Sequence, residues 1–284
     1  MIHGNQKQFT LDTAVCRGQP ERAGHETKTL RIRFAKVLDI SALTGWLEQK
    51  IDINASVLEA VTFFDHLLRE MPSRTLIKLK RSFFPPQHGL KDPNRFNLGF
   101  GVQAVKGIFM SLKPVLTASL TPGLAVNLDV ANSCFWEEQE LKDVMMDLLQ
   151  PPSSEFSHVQ RMFQESDRSP QGWKRTRMYN VLKRLRRLAV IARYRDQQFR
   201  YIIADWEPED PGNLYFTRGD KRISVAEHMR TKWDFTPMRW VPTIKTSKGS
   251  FVPIDSVRIE ANQRYNFKLG DRQTAEVCDR KLLL

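Results

Sequence analysis

The sequence predicts an α+β fold, and three observations carry that prediction. Apolar residues recur at helical spacing over residues 54–68 and again over 138–149. Between these segments, from 96 to 130, apolar and polar residues alternate in short runs separated by glycine and proline turns. From residue 188 the chain is a succession of short strand-like runs with a helical stretch inserted at 224–232.

Taken in order, residues 1–27 are polar without a clear period and suit a tail or a weak edge. Residues 29–39 (TLRIRFAKVLD) alternate as a half-exposed strand, and Ser41 is placed to cap a helix running to residue 49. Asn54 or Ser56 opens a second helix that turns Val57, Ala60, Val61, Phe64, Leu67 and Leu68 to one side and ends before Pro72. A strand at 75–80 runs into Arg81-Ser82-Phe83-Phe84-Pro85-Pro86, which stops regular structure. Strands follow at 102–105, 107–114 and 123–130, the last with Leu124, Val126, Leu128 and Val130 on one face. A helix over 138–149 with Leu141, Val144, Met145, Leu148 and Leu149 inward ends at Pro151-Pro152-Ser153-Ser154.

Residues 155–187 are strongly polar. Strands are expected at 188–194 and 198–204, then a solvent-exposed acidic loop carrying Asp205 to Asp210, a short strand at 214–216, and a helix over 224–232 capped by Ser224. Short strands at 243–246, 250–253 and 256–260 precede a last helix starting at Asp271 or Thr274.

The chain carries 44 Lys and Arg against 32 Asp and Glu, a net charge of +12. Residues 1–150 hold 18 basic and 16 acidic side chains, and residues 151–284 hold 26 and 16. A basic second half points to a polyanion, nucleic acid or a membrane surface. Cys16, Cys134 and Cys278 are odd in number and far apart, which argues against a disulfide framework or a cysteine-ligated zinc site and for a reducing compartment, cytosol or nucleus. The N-terminus lacks the basic and apolar regions of a signal peptide, and no apolar run is long enough to span a bilayer.

A resemblance joins these segments. Arg81-Ser82-Phe83-Phe84, then Gly99 and Gly101, then residues 106–114 (KGIFMSLKP), then 124–130 (LAVNLDV) and Phe135 resemble the first linker of eukaryotic Argonautes, with Lys113 in place of an arginine. The second half is similar to the PAZ domain. Residues 224–229 (SVAEHM) stand for a TVAQYF-like helix, Val241-Pro242 for Leu-Pro, 248–253 (KGSFVP) for K-x-T-Y-L-P, 259–269 for I-x-x-G-Q-R-x-x-K-L, and Gln273-Thr274 for the Q-T that follows. Residues 30–72 resemble the end of the N-terminal domain. The divisions implied are 1–86 (partial N-terminal domain), 87–140 (linker 1) and 141–284 (PAZ domain), of a fungal-type Argonaute without its Mid and PIWI domains. The fold implied is a small OB- or SH3-like β-barrel with an inserted hairpin and helix, after two helices on a small antiparallel sheet.

By the same resemblance the chain binds the 3′ end of a single-stranded small guide RNA in gene silencing, alongside other silencing-complex proteins, with no cofactor, no metal and no membrane partner. Phe216 matches the aromatic residue of the insert. His228 stands where a tyrosine binds phosphate; a histidine donates a hydrogen bond and, protonated, adds charge. Trp233 stands for a second tyrosine or histidine and is better suited to stacking than to phosphate binding. Lys248 and Ser250 match a Lys and Thr that contact the backbone. Arg193 or Tyr194 replaces a phosphate-binding histidine, and Phe199 or Tyr201 a nearby tyrosine. The basic run from Lys174 to Arg187 suits RNA-backbone attraction, although a solvated helix face is its ordinary explanation. The alternative is a protein-interaction module that keeps the fold without binding RNA. Asp143 and Asp147 lie at i, i+4 by common chance, the histidines have no metal spacing, and neither a GxSxG nor a phosphate loop is present, so no catalysis is expected.

Overall fold

The computed structural model describes residues 2–3, 6–12, 27–34, 37–87, 93–151, 154–218 and 220–279. Cys16, part of the 1–27 segment and part of the 151–154 punctuation fall outside these residues. The chain divides into two compact units, one of residues 1–66 with 112–125 and the other of residues 67–111 with 126–284. No helix among the described residues is long and apolar enough to cross a membrane.

In the first unit, β1 (Ile2–His3), β2 (Gln6–Asp12) and β3 (Thr27–Arg33) form an antiparallel sheet in that order. The described part of the segment 1–27, whose polar sequence suited a tail or a weak edge, supplies strands. The β2–β3 ladder pairs Phe9 with Leu30 and Lys7 with Ile32. Helix α1 (Ser41–Leu47) is capped from outside: the Asp39 carboxylate accepts the Ser41 N–H at 2.9 Å and its hydroxyl at 2.6 Å. Ser41 is therefore the first helical residue and not the cap. These bonds hold Asp39 below the usual carboxylate range. Asn54 caps α2 (Ala55–Leu68) by accepting the N–H groups of Ser56 and Val57. Leu43, Trp46, Val57, Ala60 and Val61 form the buried cluster of this unit, and Leu112 packs against it. The Asp65 carboxylate, itself buried, accepts the Leu112 N–H at 2.9 Å.

The second unit begins with α3 (Glu70–Thr75), in which Pro72 lies in the first turn, where a missing N–H costs no helical bond. Regular structure continues past residue 80 because β4 (Ile77–Leu79) turns directly into β5 (Ser82–Phe84), which pairs with it and with β7. Strand β6 (Arg95–Gly99) pairs with the start of β7 (Val102–Leu116), and β8 (Pro122–Trp136) returns along β7. The two strands expected at 102–114 are one. Gly107 lets β7 pass close to β5, since a Cβ at this position would meet the Phe83 carbonyl and the Phe84 ring. Leu124, Val126, Leu128 and Val130 share a face of β8, as their alternation implies, and all four are exposed.

Helix α4 (Leu141–Leu149) buries Leu141, Val144, Met145 and Leu149 completely. The polar stretch after it holds α5 (Phe156–Glu165), a 3-10 turn at Trp173–Arg175, α6 (Arg177–Leu182) and a second 3-10 turn at Lys183–Leu185. Next come β9 (Ala189–Tyr194), β10 (Gln197–Glu207), the hairpin β11 (Tyr215–Arg218) and β12 (Lys221–Ser224), α7 (Val225–Trp233), β13 (Thr243–Thr246), β14 (Phe251–Val252), β15 (Val257–Ile259) and α8 (Asp271–Asp279). The second five-stranded sheet runs β14-β13-β10-β9-β15, all antiparallel. Its described ladders form an open path, with none joining β14 to β15. One buried cluster extends from Leu98 and Trp136 through α4, Phe163 and Trp173 to Val190, Ile244 and Val277.

The acidic segment departs most from expectation. Asp205 and Glu207 lie within β10 and Asp210 is completely buried, so this is no solvated loop. Asp210 accepts the N–H groups of Gly212 (2.7 Å) and Asn213 (3.2 Å) and the Asn213 amide (3.1 Å). A buried carboxylate persists because each lone pair it turns inward finds a donor.

Candidate nucleic-acid interface

A cavity of about 420 Å³ opens between the inner face of β9 and β10, the β11–β12 hairpin with α7, and the turn joining β13 to β14. Successive strand residues face opposite ways, so of the neighbours Arg193 and Tyr194 one points inward. Tyr194 is that one; Arg193 is exposed on the other face of β9 and lies outside the cavity. Phe199 and Tyr201, two apart on β10, both line it and stack with centroids 6.4 Å apart. The sequence left Phe199 and Tyr201 as alternatives; the strand period makes them neighbours.

Three further groups close the space. Phe216 from the hairpin meets His228 of α7 edge to face, centroids 5.3 Å apart. Ser224 starts α7 by accepting the Glu227 N–H at 3.1 Å, and this helix presents His228 and, at its far end, Trp233. The 246–250 turn is closed by bonds from the Gly249 N–H to the Thr246 carbonyl and from the Thr246 N–H to the Ser250 carbonyl, each 2.9 Å. Gly249 has φ +79°, a conformation natural to glycine, and the turn it permits presents exposed Lys248 and Ser250 at the cavity mouth. Tyr194, Phe199, Phe216, His228, Trp233, Lys248 and Ser250 thus share one cavity, and Arg193 does not.

The aromatic lining is mutually braced. Trp233 stacks on Tyr194 (5.3 Å, 21°), and Phe199 and Phe235 meet that pair at steeper angles. The Tyr194 hydroxyl lies 2.8 Å from Ser256 Oγ, and burial pushes its pKa well up, so it is a neutral wall group. Burial also raises the Tyr201 pKa. Sequence reasoning missed Lys232, whose ammonium lies 4.5 Å over the Trp233 ring at the cavity edge, and Phe251 on the opposite wall. It also missed Asp210, which ties down the chain entering the β11–β12 hairpin. The Val225 N–H donates to the Leu214 carbonyl and the Ala226 N–H to the Pro211 carbonyl beside it.

The basic run 174–187 is divided in use. Arg177 donates to the Leu149 carbonyl at the end of α4 (3.1 Å). Arg186 donates to the Ala204 carbonyl (2.7 Å), and its Nε lies 4.0 Å from the Asp205 carboxylate, which also accepts the Tyr179 hydroxyl. Lys183 donates to Asn180. Lys174, Arg175, Arg184 and Arg187 stand on the surface.

Residues 78–137 match a known family, the Argonaute linker 1 domain. That match covers about a fifth of the chain, and the similarity to Argonautes extends beyond it. Its linker 1 motif residues are core groups: Phe83 and Phe84 are buried, and Phe84 packs edge to face on Phe135 at 5.3 Å. The chain is 25% identical over 271 residues to Protein argonaute of Schizosaccharomyces pombe, covering 89% of this chain and 29% of that protein. It is 26% identical over 266 residues to Protein argonaute MEL1 of Oryza sativa subsp. japonica, covering 90% of this chain and 22% of the relative. It thus spans less than a third of the length of these relatives. Its fold is similar to that of Kluyveromyces polysporus Argonaute, solved with a guide RNA, at a TM-score of 0.50 and 13% identity over 88% of this chain and 28% of that one.

Proposed function

We propose that this chain is a PAZ-like RNA-binding part of a fungal-type Argonaute that holds the 3′ end of a single-stranded small RNA in RNA-mediated gene silencing. The observation that carries the reading is the convergence of seven separately named residues on one cavity with aromatic walls and lysines at its mouth. Single-stranded RNA is bound by that combination, because bases and sugars lie on aromatic faces while cations meet phosphates. In this reading the β11–β12 hairpin and α7 are the insert against a barrel-like sheet. Phe216 and Tyr201 contact the terminal nucleotide, and Lys232, Lys248 and His228 meet the adjoining phosphates. The exposed Lys174, Arg175, Arg184 and Arg187 attract the backbone from a distance.

Relatives from the Argonaute family support a silencing role, and the solved relative with a guide RNA supports small RNA as the partner. Other silencing-complex proteins are the remaining partners in this reading, in cytosol or nucleus. The role is binding; no catalytic step is assigned to these residues. Titration of a short single-stranded RNA against wild type, Phe216→Ala and Lys248→Ala tests it. Weaker binding by both variants is expected. Unchanged affinity in both would reject the cavity as the RNA site and favour the protein-interaction alternative.

A further inference from the structure

We propose that Trp233 is a positioning residue that holds the Lys232 ammonium at the cavity mouth and does not itself stack on RNA. The proposal rests on the RNA-end reading above and goes beyond it by separating the group that touches RNA from the group that places it.

The two are the last residues of α7. Tyr194 lies stacked on the indole at 5.3 Å, the Lys232 Nζ lies over it at 4.5 Å, and Phe199 meets its edge at 5.3 Å and 64°. With one ring stacked on it, a cation over it and a second ring at its edge, the indole already has partners in the free protein. In this proposal a role in placing Lys232 replaces ligand stacking by Trp233. The Lys232 side chain is exposed, and a free lysine of that kind loses rotamer entropy when it fixes a phosphate. A cation–π contact restricts it beforehand while leaving its three N–H donors for an anion. The αL residue Asp234 (φ +55°) ends the helix immediately afterwards, its N–H bonded to the Arg230 carbonyl. Phe235 then folds back against Tyr194, centroids 6.1 Å apart. The stack is therefore anchored on both sides of the helix end, and Lys232 is held by a fixed ring.

A double-mutant cycle on RNA affinity tests this, using Trp233→Leu, Lys232→Gln and the pair. Trp233→Leu should weaken binding about two- to five-fold, the worth of one exposed cation–π contact. The same change should have no effect in the Lys232→Gln background. Lys232→Gln should lower the log–log salt slope by about 0.7, one phosphate contact on a single strand. Trp233→Phe, which keeps an aromatic face, should restore most of the affinity. In the free protein, the Lys232 ε-methylene protons should show an upfield ring-current shift that Trp233→Leu abolishes. Should Trp233→Leu fail to fold, the ring-current measurement on the wild type still tests the contact. Equal losses on Trp233→Leu with and without Lys232, or an unshifted ε-methylene signal, would overturn the positioning role while leaving RNA binding in place. No RNA binding by wild type would instead remove the RNA reading and this proposal with it; the ring-current measurement, made without RNA, tells the two failures apart.

Discussion

Phe216 and His228 meet edge to face, their ring centroids 5.3 Å apart and their planes 85° from one another. One belongs to a hairpin and the other to the helix that follows it, so this contact makes the insert a single wall. A wall already packed in the free protein needs little ordering when a ligand arrives.

The first prediction concerns that wall. Phe216→Ala removes the aromatic face without touching a charge. RNA affinity should fall about ten-fold, within the range found for single base–aromatic contacts, and the salt slope should stay unchanged. Lys248→Ala should do the converse: a milder loss with the slope reduced by about 0.7. Fluorescence anisotropy titrations at three salt concentrations separate the two signatures.

Asp210 should matter for stability more than for charge. Its carboxylate accepts three bonds in a fully buried site, so Asp210→Ala leaves those donors unpaired. A loss of roughly 2–3 kcal/mol is expected from urea unfolding. Asp210→Asn should lose less, because it keeps an acceptor oxygen.

These residues show what could be seen in the sequence and what could not. Ser224 and Asn54 were legible as caps because a cap is local: an oxygen, a turn and an apolar period. The cavity residues were legible through a resemblance that fixed their order along the chain. Register was not, which is why Arg193 and Tyr194 stood as alternatives until the β9–β10 ladder set the inner face. Asp210 was misread because a run of acids ordinarily marks solvent, and its burial depends on backbone donors that sequence does not display. The single strand across 102–116 was read as two because the close approach of Gly107 to Phe83 joins residues far apart in the chain. Lys232 gave no signal, since a lysine at a helix end is ordinarily solvated.

A pH effect on stability follows from α4 and its neighbour Glu137. Burial first, and then the nearby Asp143, raise the Asp147 pKa; burial and Asp147 raise that of Glu137. Folding therefore favours the protonated forms. This stability is complete below the ordinary carboxylate pKa of about 4 and is lost as pH rises through the raised values. Asp147→Asn should raise the melting temperature at pH 7 and change it little near pH 3.5, with a modest difference because both groups are partly solvated. Thermal melts of wild type and variant across that interval check it.

Asp234 ends α7 with φ +55°. Glycine adopts that conformation without strain, so Asp234→Gly should stabilise the protein by up to about 1 kcal/mol, offset in part by the larger freedom of glycine in the unfolded chain. A denaturant titration gives the sign. The Lys232–Trp233 contact ahead of it should persist.

The most direct measurement compares one short single-stranded RNA with a free 3′ end against the same RNA with that end blocked by a bulky group. Binding to wild type and to Phe216→Ala is measured side by side. If the cavity holds the RNA end, the free-ended RNA binds wild type several-fold more tightly than the blocked one, and Phe216→Ala abolishes the difference. Equal affinity for both RNAs in wild type would contradict end recognition, and no binding of either would contradict the RNA-binding role itself.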